Sequence, residues 1–263
     1  MLSIIICSRD AKRFAAVSAM YKSVLGDEPY ELVGVHNAPS LASGYTQGIA
    51  ASKGEIVIFS HDDIEVVSPD FVGRLKGHLA TYDLIGVLGT SRLIDGYWPA
   101  AGPPHIFGQV VHIYTGRRIL VDIFGAPSPV VSNIQALDGM FIAVRRSVLA
   151  KVSFDAKTFD GFHEYDIDFT YGSYLAGFKL AVACDINLVH QSAGDFGPVW
   201  QEYAARFRRK WFPNIPRPPT RKFSWTAVDA ASKADALAIL NPPYWKWPAD
   251  APSVIPDPMP GIG

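Results

Sequence analysis

Within the first ninety or so residues, short apolar β-type runs alternate with amphipathic helical patterns four times, and this alternation constrains the fold more than any other feature of the chain. Leu2 to Cys7 reads as a buried strand, followed by Phe14, Val17, Met20, Tyr21, Val24 and Leu25 at helical spacing, with Gly26 as the stop. Glu31 to His36 is a second strand, and Asn37-Ala-Pro-Ser40 leads into a small-residue helix reaching Ile49 to Ser52. Ile56 to Phe59 is a third strand. Ser68-Pro69-Asp70 reads as a helix start, with Ser68 as N-cap and Pro69 at the first helical position, and Leu75 and Leu79 continue its apolar face. Leu84 to Leu88 is a further buried strand. Such alternation predicts an α/β fold on a mostly parallel, Rossmann-like sheet.

The 263 residues suffice for one large α/β domain or two small ones. With 24 Lys+Arg against 25 Asp+Glu there is no global electrostatic footprint for nucleic acid. The two cysteines, Cys7 and Cys184, lie inside apolar runs and read as buried thiols of a reducing compartment. Leu2 to Cys7 lacks the basic flank and length of a signal peptide, and no run approaches the roughly 18–20 apolar residues of a membrane span. The expectation is a soluble, cytoplasmic protein, with peripheral membrane contact left open.

Beyond residue 95 the pattern loosens. A Trp/Pro/Gly loop (Gly96 to Pro104) precedes a hairpin over Val110 to Ile123, turning near Thr115-Gly116. Ala136 to Val144 resumes a strand, Phe159 to Phe169 runs from a loop into a helix, and Leu180 to Cys184 and Asn187 to His190 are strand-like. Pro198 to Phe212 carries Trp200, Tyr203, Phe207 and Trp211 at helical spacing with four cations between them. This helix reads as docking on the core, with an anionic membrane as the minority alternative. From Pro213 onward the chain holds 11 of its 20 prolines, which predicts an irregular extension over 213–263.

Chemistry concentrates where strands end. Ile56 to Phe59 runs directly into Ser60-His61-Asp62-Asp63, so two adjacent carboxylates stand at the carboxyl end of a core strand, where open α/β sheets bind ligands. Hard divalent cations are held by one or two carboxylates plus substrate phosphates, so this pair, with His190 after a late strand, suits Mn²⁺ or Mg²⁺. The plainer reading is that the acids solvate a turn. Glu164, Asp166 and Asp168 fall at a helix start, where acids also serve as caps, but three within five residues exceed what one cap needs. No Gly-x-Gly-x-x-Gly follows the first strand, and Lys53 precedes Gly54 instead of following it, so neither a dinucleotide fingerprint nor a P-loop is present.

Taken in order, these pieces resemble a nucleotide-sugar glycosyltransferase of the GT-A fold, similar to the family 2 group and its smaller bacterial relatives. The resemblance spans about residues 2 to 195. It is carried by Ser3-Ile-Ile-Ile-Cys-Ser8, by Lys53-Gly-Glu-Ile-Val-Ile-Phe-Ser-His-Asp-Asp63, by Asp138-Gly-Met-Phe-Ile-Ala-Val-Arg-Arg146, by Tyr165-Asp-Ile-Asp168 and by His190. It implies one GT-A-like domain over 1–212, with a nucleotide-sugar half (1–95), an acceptor half (96–195) and the helix of 196–212. By the resemblance, Asp63 and His190 hold the metal, Asp62 lies near the donor ribose or metal, and Cys7, Ser8 and Arg9 lie against the nucleotide. Asp166 is implied as the general base, and Asp138, Gly139 and Glu164 belong to the acceptor side. Trp98 reads equally as a sugar-stacking or a simply buried ring. The implied activity is inverting transfer of a hexosyl residue, as in polysaccharide biosynthesis. A nucleoside diphosphate sugar is the donor, UDP favoured as the commonest, and a glycan or lipid-linked hydroxyl is the acceptor.

Three positions depart from the family pattern. His61 stands where the first Asp of Asp-x-Asp belongs, Tyr165 where a Glu belongs, and His36-Asn37 where an acid usually reads the base, so Asn37 is the candidate there. Two rival readings follow: a metal-dependent phosphohydrolase, since His61-Asp62 suits a histidine–aspartate metal pair, and a non-catalytic carbohydrate-binding protein on a transferase scaffold.

Overall fold

The structure, a computed structural model, describes residues 1–114, 118–192, 194, 196–215 and 225–240. In chain order its elements are β1 (Leu2–Ser8), α1 (Ala11–Leu25), β2 (Tyr30–His36), α2 (Leu41–Ala51), β3 (Ile56–Ser60), β4 (Ile64–Val66), α3 (Phe71–Thr81), β5 (Leu84–Gly86) and β6 (Leu88–Thr90). A 3₁₀ turn at Trp98–Ala101 precedes β7 (Ile106–Ile113), β8 (Ile119–Gly125), β9 (Val130–Val131), β10 (Ala136–Leu137), β11 (Phe141–Arg145) and α4 (Arg146–Leu149). Then come α5 (Tyr165–Leu175), β12 (Leu180–Ala183), β13 (Leu188–His190), α6 (Pro198–Trp211), β14 (Thr226–Ala230) and α7 (Lys233–Leu240).

Two sheets share the chain. The first has the order β2-β1-β3-β11-β5-β12-β9, with β2, β1 and β3 parallel as the sequence predicts and β11 antiparallel to both of its neighbours. The second runs β10-β6-β7-β13-β4, extended by β8 on β7 and β14 on β8. The chain crosses from one sheet to the other at several points, among them residues 61–63, Val87, 138–140 and 184–187. Crossing points free the side chains from strand pairing, and Asp62, Asp63, Asp138 and Gly139 sit at two of them. Apolar length alone does not reveal a crossing. Leu84 to Leu88 and Ala136 to Val144, each read as one strand, are therefore each divided between the sheets.

An aromatic layer holds α5 beneath β3. Phe154 stacks on Phe169 at 4.3 Å, Phe59 meets Phe154 edge-on at 5.0 Å, and Tyr45 lies 5.7 Å from Tyr165. Burying each such ring contributes roughly 1.5–3 kcal/mol, and the layer fixes where the first turn of α5 stands. The expected cap role of Ser68 is not found: Asp70 precedes α3, and Ser68 Oγ instead donates to the Asp185 carbonyl and accepts from the Asn187 N–H. Those bonds tie the chain before α3 to the loop before β13, a tertiary use that local capping rules do not anticipate.

The helix over 198–211 docks through Tyr203, Ala204 and Phe207. Asp168, 3% exposed, accepts from Trp211 Nε1 at 2.7 Å and pairs with Lys210 at 2.8 Å, so this acid of the helix-start cluster anchors α6. Burial pushes its carboxyl up while the Lys210 and Trp211 bonds pull it back down. Replacing Asp168 by Ala strands the indole N–H and leaves Lys210 with Asp155 alone. A loss of about 2–3 kcal/mol in urea unfolding is expected.

The stretch from 213 onward was expected to be irregular, but 226–240 is not. β14 pairs antiparallel with β8 over five residues, and Ala236 and Leu240 of α7 complete a small core with Val111, Val121 and Val189. The proline count dominates that stretch's composition and hides the short apolar period of 233–240 inside it. The turn expected at Thr115-Gly116 and residues 216–224 and 241–263 of the Pro-rich tail lie outside the described residues. No helix among the described residues is long and apolar enough to cross a membrane.

Candidate active site

The crossing at 61–63 is fixed by backbone bonds on both sides. The His61 N–H donates to the Met140 carbonyl at 3.1 Å, and the Gln191 N–H donates to the Asp63 carbonyl at 2.9 Å. β13 lies antiparallel to β4 and brings His190 opposite Ile64. His61, Asp63 and His190 each turn a ligand atom toward the others, all within 4.8 Å. His190 Nε2 is 3.2 Å from Asp63 Oδ1 and 3.4 Å from His61 Nδ1. Adjacent ligands of an octahedral ion at about 2.1 Å stand about 3 Å apart, so the three donors fit a divalent cation.

The other edge of the His61 ring is engaged. Its Nε2 lies 2.9 Å from the Tyr165 hydroxyl, which donates to the Gly139 carbonyl at 3.3 Å. A hydroxyl has one proton, so in this arrangement Tyr165 accepts from the His61 Nε2–H and the Nδ1 lone pair faces His190. Metal-bound histidines characteristically give their second N–H to such a partner. The two departures from the family pattern, His61 and Tyr165, are therefore bonded to each other. Burial lowers the His61 pKa, His190 lowers it further, and Asp63, Asp138 and Asp62 oppose this. Burial alone would raise Asp63, but the bond from His190 and the two imidazoles outweigh it and hold the carboxyl well below the usual range. A neutral imidazole and an ionised carboxylate are the forms a cation binds.

On one side of these residues lies a pocket of about 420 Å³ lined by Cys7, Ser8, Arg9, Arg13, Asp62 and Asp63, among others. Ser8 Oγ donates to Asp62 Oδ2 at 2.5 Å. Cys7 is half-buried, not fully buried as expected, and burial with the Asp62 charge pushes its thiol up to about 12. Arg13 reaches Asp63 at 3.5 Å and Asp62 at 3.9 Å. It escaped the sequence reading; its one signal was Asp10, whose carboxylate caps α1 and sets Arg13 in the first turn. Asn37 is exposed with φ 57° and does not line this pocket; Ala38 and Ser40 do.

On the other side lies a second cavity of about 420 Å³, lined by Trp98, Asp138, Gly139, Glu164 and Asp166 with several further aromatic rings. His61 and Phe162 line both spaces. Trp98 is buried, 7% exposed, yet forms part of the wall and donates from Nε1 to Asp138 Oδ2 at 3.1 Å. A Cβ on Gly139 would collide with the Tyr165 hydroxyl and stand 2.7 Å from Asp166 Cβ, so only glycine lets α5 approach this closely. Asp166 is pushed up to about 7, by burial first and by the Asp138 charge second, against backbone N–H bonds that lower it. Glu164 holds φ 63°, a left-handed conformation costing roughly 1–2 kcal/mol. Its side chain caps nothing. Burial, then the charges of Asp166, Asp95 and Asp168, raise its carboxyl well above the ordinary range.

Sequence reasoning also missed His112, Asp122 and Trp225. Asp122 Oδ2 lies 2.7 Å from His112 Nδ1, and Asp122 Oδ1 accepts from Trp225 Nε1 at 2.7 Å. The diagonal placement of His112 and Asp122 was available from the hairpin pattern, whereas Trp225 follows a run of prolines that gave no reason to bring it back.

A family model described as "Glycosyltransferase like family" matches residues 3–208, and the chain belongs to that family. Its fold is that of GT-A glycosyltransferases. One similar structure is the mannosyltransferase PcManGT from Pyrobaculum calidifontis in complex with GDP-Man and Mn²⁺, at TM-score 0.52 and 13% identity, covering 83% of this chain and 66% of that one. S. aureus TarS 1–349 aligns at TM-score 0.47 and 14% identity, over 72% of this chain and 60% of that one. A Fuscovulum blasticum protein, "ATP synthase subunits region ORF 6", is 28% identical over 180 residues, 65% of this chain and 66% of that protein. The chain thus spans just under two thirds of the relatives it matches.

Proposed function

We propose that this protein is a metal-dependent glycosyltransferase that moves a sugar from a nucleoside diphosphate donor in the arginine-lined pocket to an acceptor hydroxyl in the aromatic cavity. The observation that carries the reading is that the His61–Asp63–His190 cluster stands between two cavities, with His61 lining both. One space carries arginines beside the ligand cluster, as a diphosphate requires. The other carries a carboxyl held near neutrality, as a general base requires.

In this reading Asp63, His190 and His61 hold the cation. When bound, it supplies Lewis-acid neutralisation of the departing diphosphate. Two imidazoles beside one carboxylate suit Mn²⁺ better than Mg²⁺, which prefers oxygen alone. Arg13 and Arg9 face the diphosphate, with Ser8 and Asp62 beside the nucleoside. The acceptor oxygen attacks the anomeric carbon, the bond to the diphosphate breaks, and the acceptor proton passes to Asp166. Attack from the cavity side, opposite the leaving group, inverts the anomeric centre. Uracil remains the preferred base because UDP-sugars are the commonest donors, and hexosyl transfer is the preferred chemistry.

A thermal-shift panel of UDP-, GDP- and CDP-sugars, each with and without Mn²⁺, tests the donor side. A melting rise that requires both nucleotide-sugar and cation is expected for one base. Release of phosphate from a free nucleotide with no acceptor present would instead favour the phosphohydrolase. Tyr165→Phe tests the ring orientation: Mn²⁺ binding measured by calorimetry should weaken about 10–100-fold, with the fold unchanged in circular dichroism.

A further inference from the structure

We propose that the aromatic cavity takes an uncharged sugar ring as acceptor and rejects the same ring bearing a carboxylate or phosphate. This rests on the transfer reading above and specifies the chemistry of its second substrate.

The walls are aromatic on two sides. Tyr97, Phe196 and Trp200 meet edge-on at 5.1–5.8 Å, and Phe196 is half exposed. In a second cluster Phe124 packs between Trp98 and Trp225 at 4.9 Å from each. The C–H faces of a sugar ring are apolar while its edge bears hydroxyls, so it packs on such rings and needs a few polar groups around its rim. Those polar groups are carboxyls. Asp138 and Asp166 line the cavity with Glu164, which is 3% exposed and whose Oε2 has no hydrogen-bond partner among the described residues. A buried carboxyl oxygen left unpartnered costs stability unless a ligand satisfies it, and a hydroxyl at the rim of a sugar does so.

Charge separates the two spaces. Arg9 and Arg13 line the donor pocket. Among the described residues no Lys or Arg lines the aromatic cavity. An anionic substituent would face acidic side chains such as Asp138 with no Lys or Arg among the described lining residues beside it, and like-charge juxtaposition is unfavourable. Asp122, the fourth acid, is already held by His112 and Trp225. Trp225 comes from beyond the residues that match the family, so this part of the wall is an addition to the shared core.

The full chain with UDP and Mn²⁺ should be examined by saturation-transfer NMR with the methyl glycosides of glucose, galactose, mannose and N-acetylglucosamine, alongside methyl glucuronide, methyl galacturonide and methyl glucoside 6-phosphate. At least one neutral glycoside should bind, with its anionic counterpart at least about tenfold weaker. Trp200→Ala should lose the glycoside signal and retain that of UDP. A uronide or 6-phosphate binding as tightly as its neutral parent overturns the proposal, as does UDP binding with no neutral glycoside bound. If UDP fails to bind with Mn²⁺, the donor reading fails, whereas the neutral-against-anionic comparison still judges the cavity.

Discussion

Asp166→Asn should lower kcat about 10²–10⁴-fold while leaving nucleotide-sugar binding intact. The amide keeps the size of the side chain and its place in the first turn of α5 but cannot accept the acceptor's proton. Single-turnover transfer and donor binding, measured on the same preparation, separate this outcome from a folding defect. The wild-type pH profile carries the complementary signal. With its pKa pushed up to about 7, Asp166 is largely protonated, and so inactive as a base, below neutrality. As pH rises through about 7 the carboxylate forms, so kcat/KM should climb and then level off. The groups that set this position are Asp138, whose charge raises it, and the backbone N–H groups of Ile167, Asp166 and Gly139, which lower it. Asp138→Asn removes the raising charge and should move the rising limb to lower pH. A limb unmoved by that change, or a kcat insensitive to Asp166→Asn, would assign the proton to another group.

The strand endings were readable because two signals coincide there. An apolar β-branched run stops, and carboxylates or a histidine follow at once, as at Ile58-Phe59-Ser60-His61-Asp62-Asp63 and at Leu188-Val189-His190. Period and composition therefore located Asp63 and His190 before any geometry was known. What stayed hidden was pairing across distance. His61 and Tyr165 looked like two separate losses from a family pattern, and they stand 104 positions apart in the chain; only their 2.9 Å contact shows that one change accompanies the other. The division of Asp166 from Asp168 was equally invisible. They are two residues apart on one helix and so point to different sides, one into the cavity and one to Lys210 and Trp211. Trp225 could not be placed because the described strand that follows it gains its order by pairing with β8, a contact outside the reach of local propensity.

Asp63→Ala should abolish cation-dependent nucleotide-sugar binding. Asp63 is the one carboxylate of the ligand cluster, 8% exposed, and it lies 3.2 Å from His190 and 3.5 Å from Arg13. Without it two imidazoles remain, and these bind Mn²⁺ weakly because the anionic ligand is gone. The Arg13 guanidinium would still reach Asp62 at 3.9 Å, so the arginine-lined pocket keeps its shape and some of its charge balance. That predicts a particular pattern. Nucleotide-sugar should retain at most a weak, cation-independent affinity, and the melting rise on adding Mn²⁺ with the donor should vanish. Asp62→Ala provides the contrast: Asp62 bonds Ser8 and stands outside the His61–Asp63–His190 cluster, so donor affinity should fall while Mn²⁺ binding by calorimetry persists. Transfer activity unchanged in Asp63→Ala would remove the cation from the reaction, and with it the reason for two histidines and an aspartate to converge between the cavities.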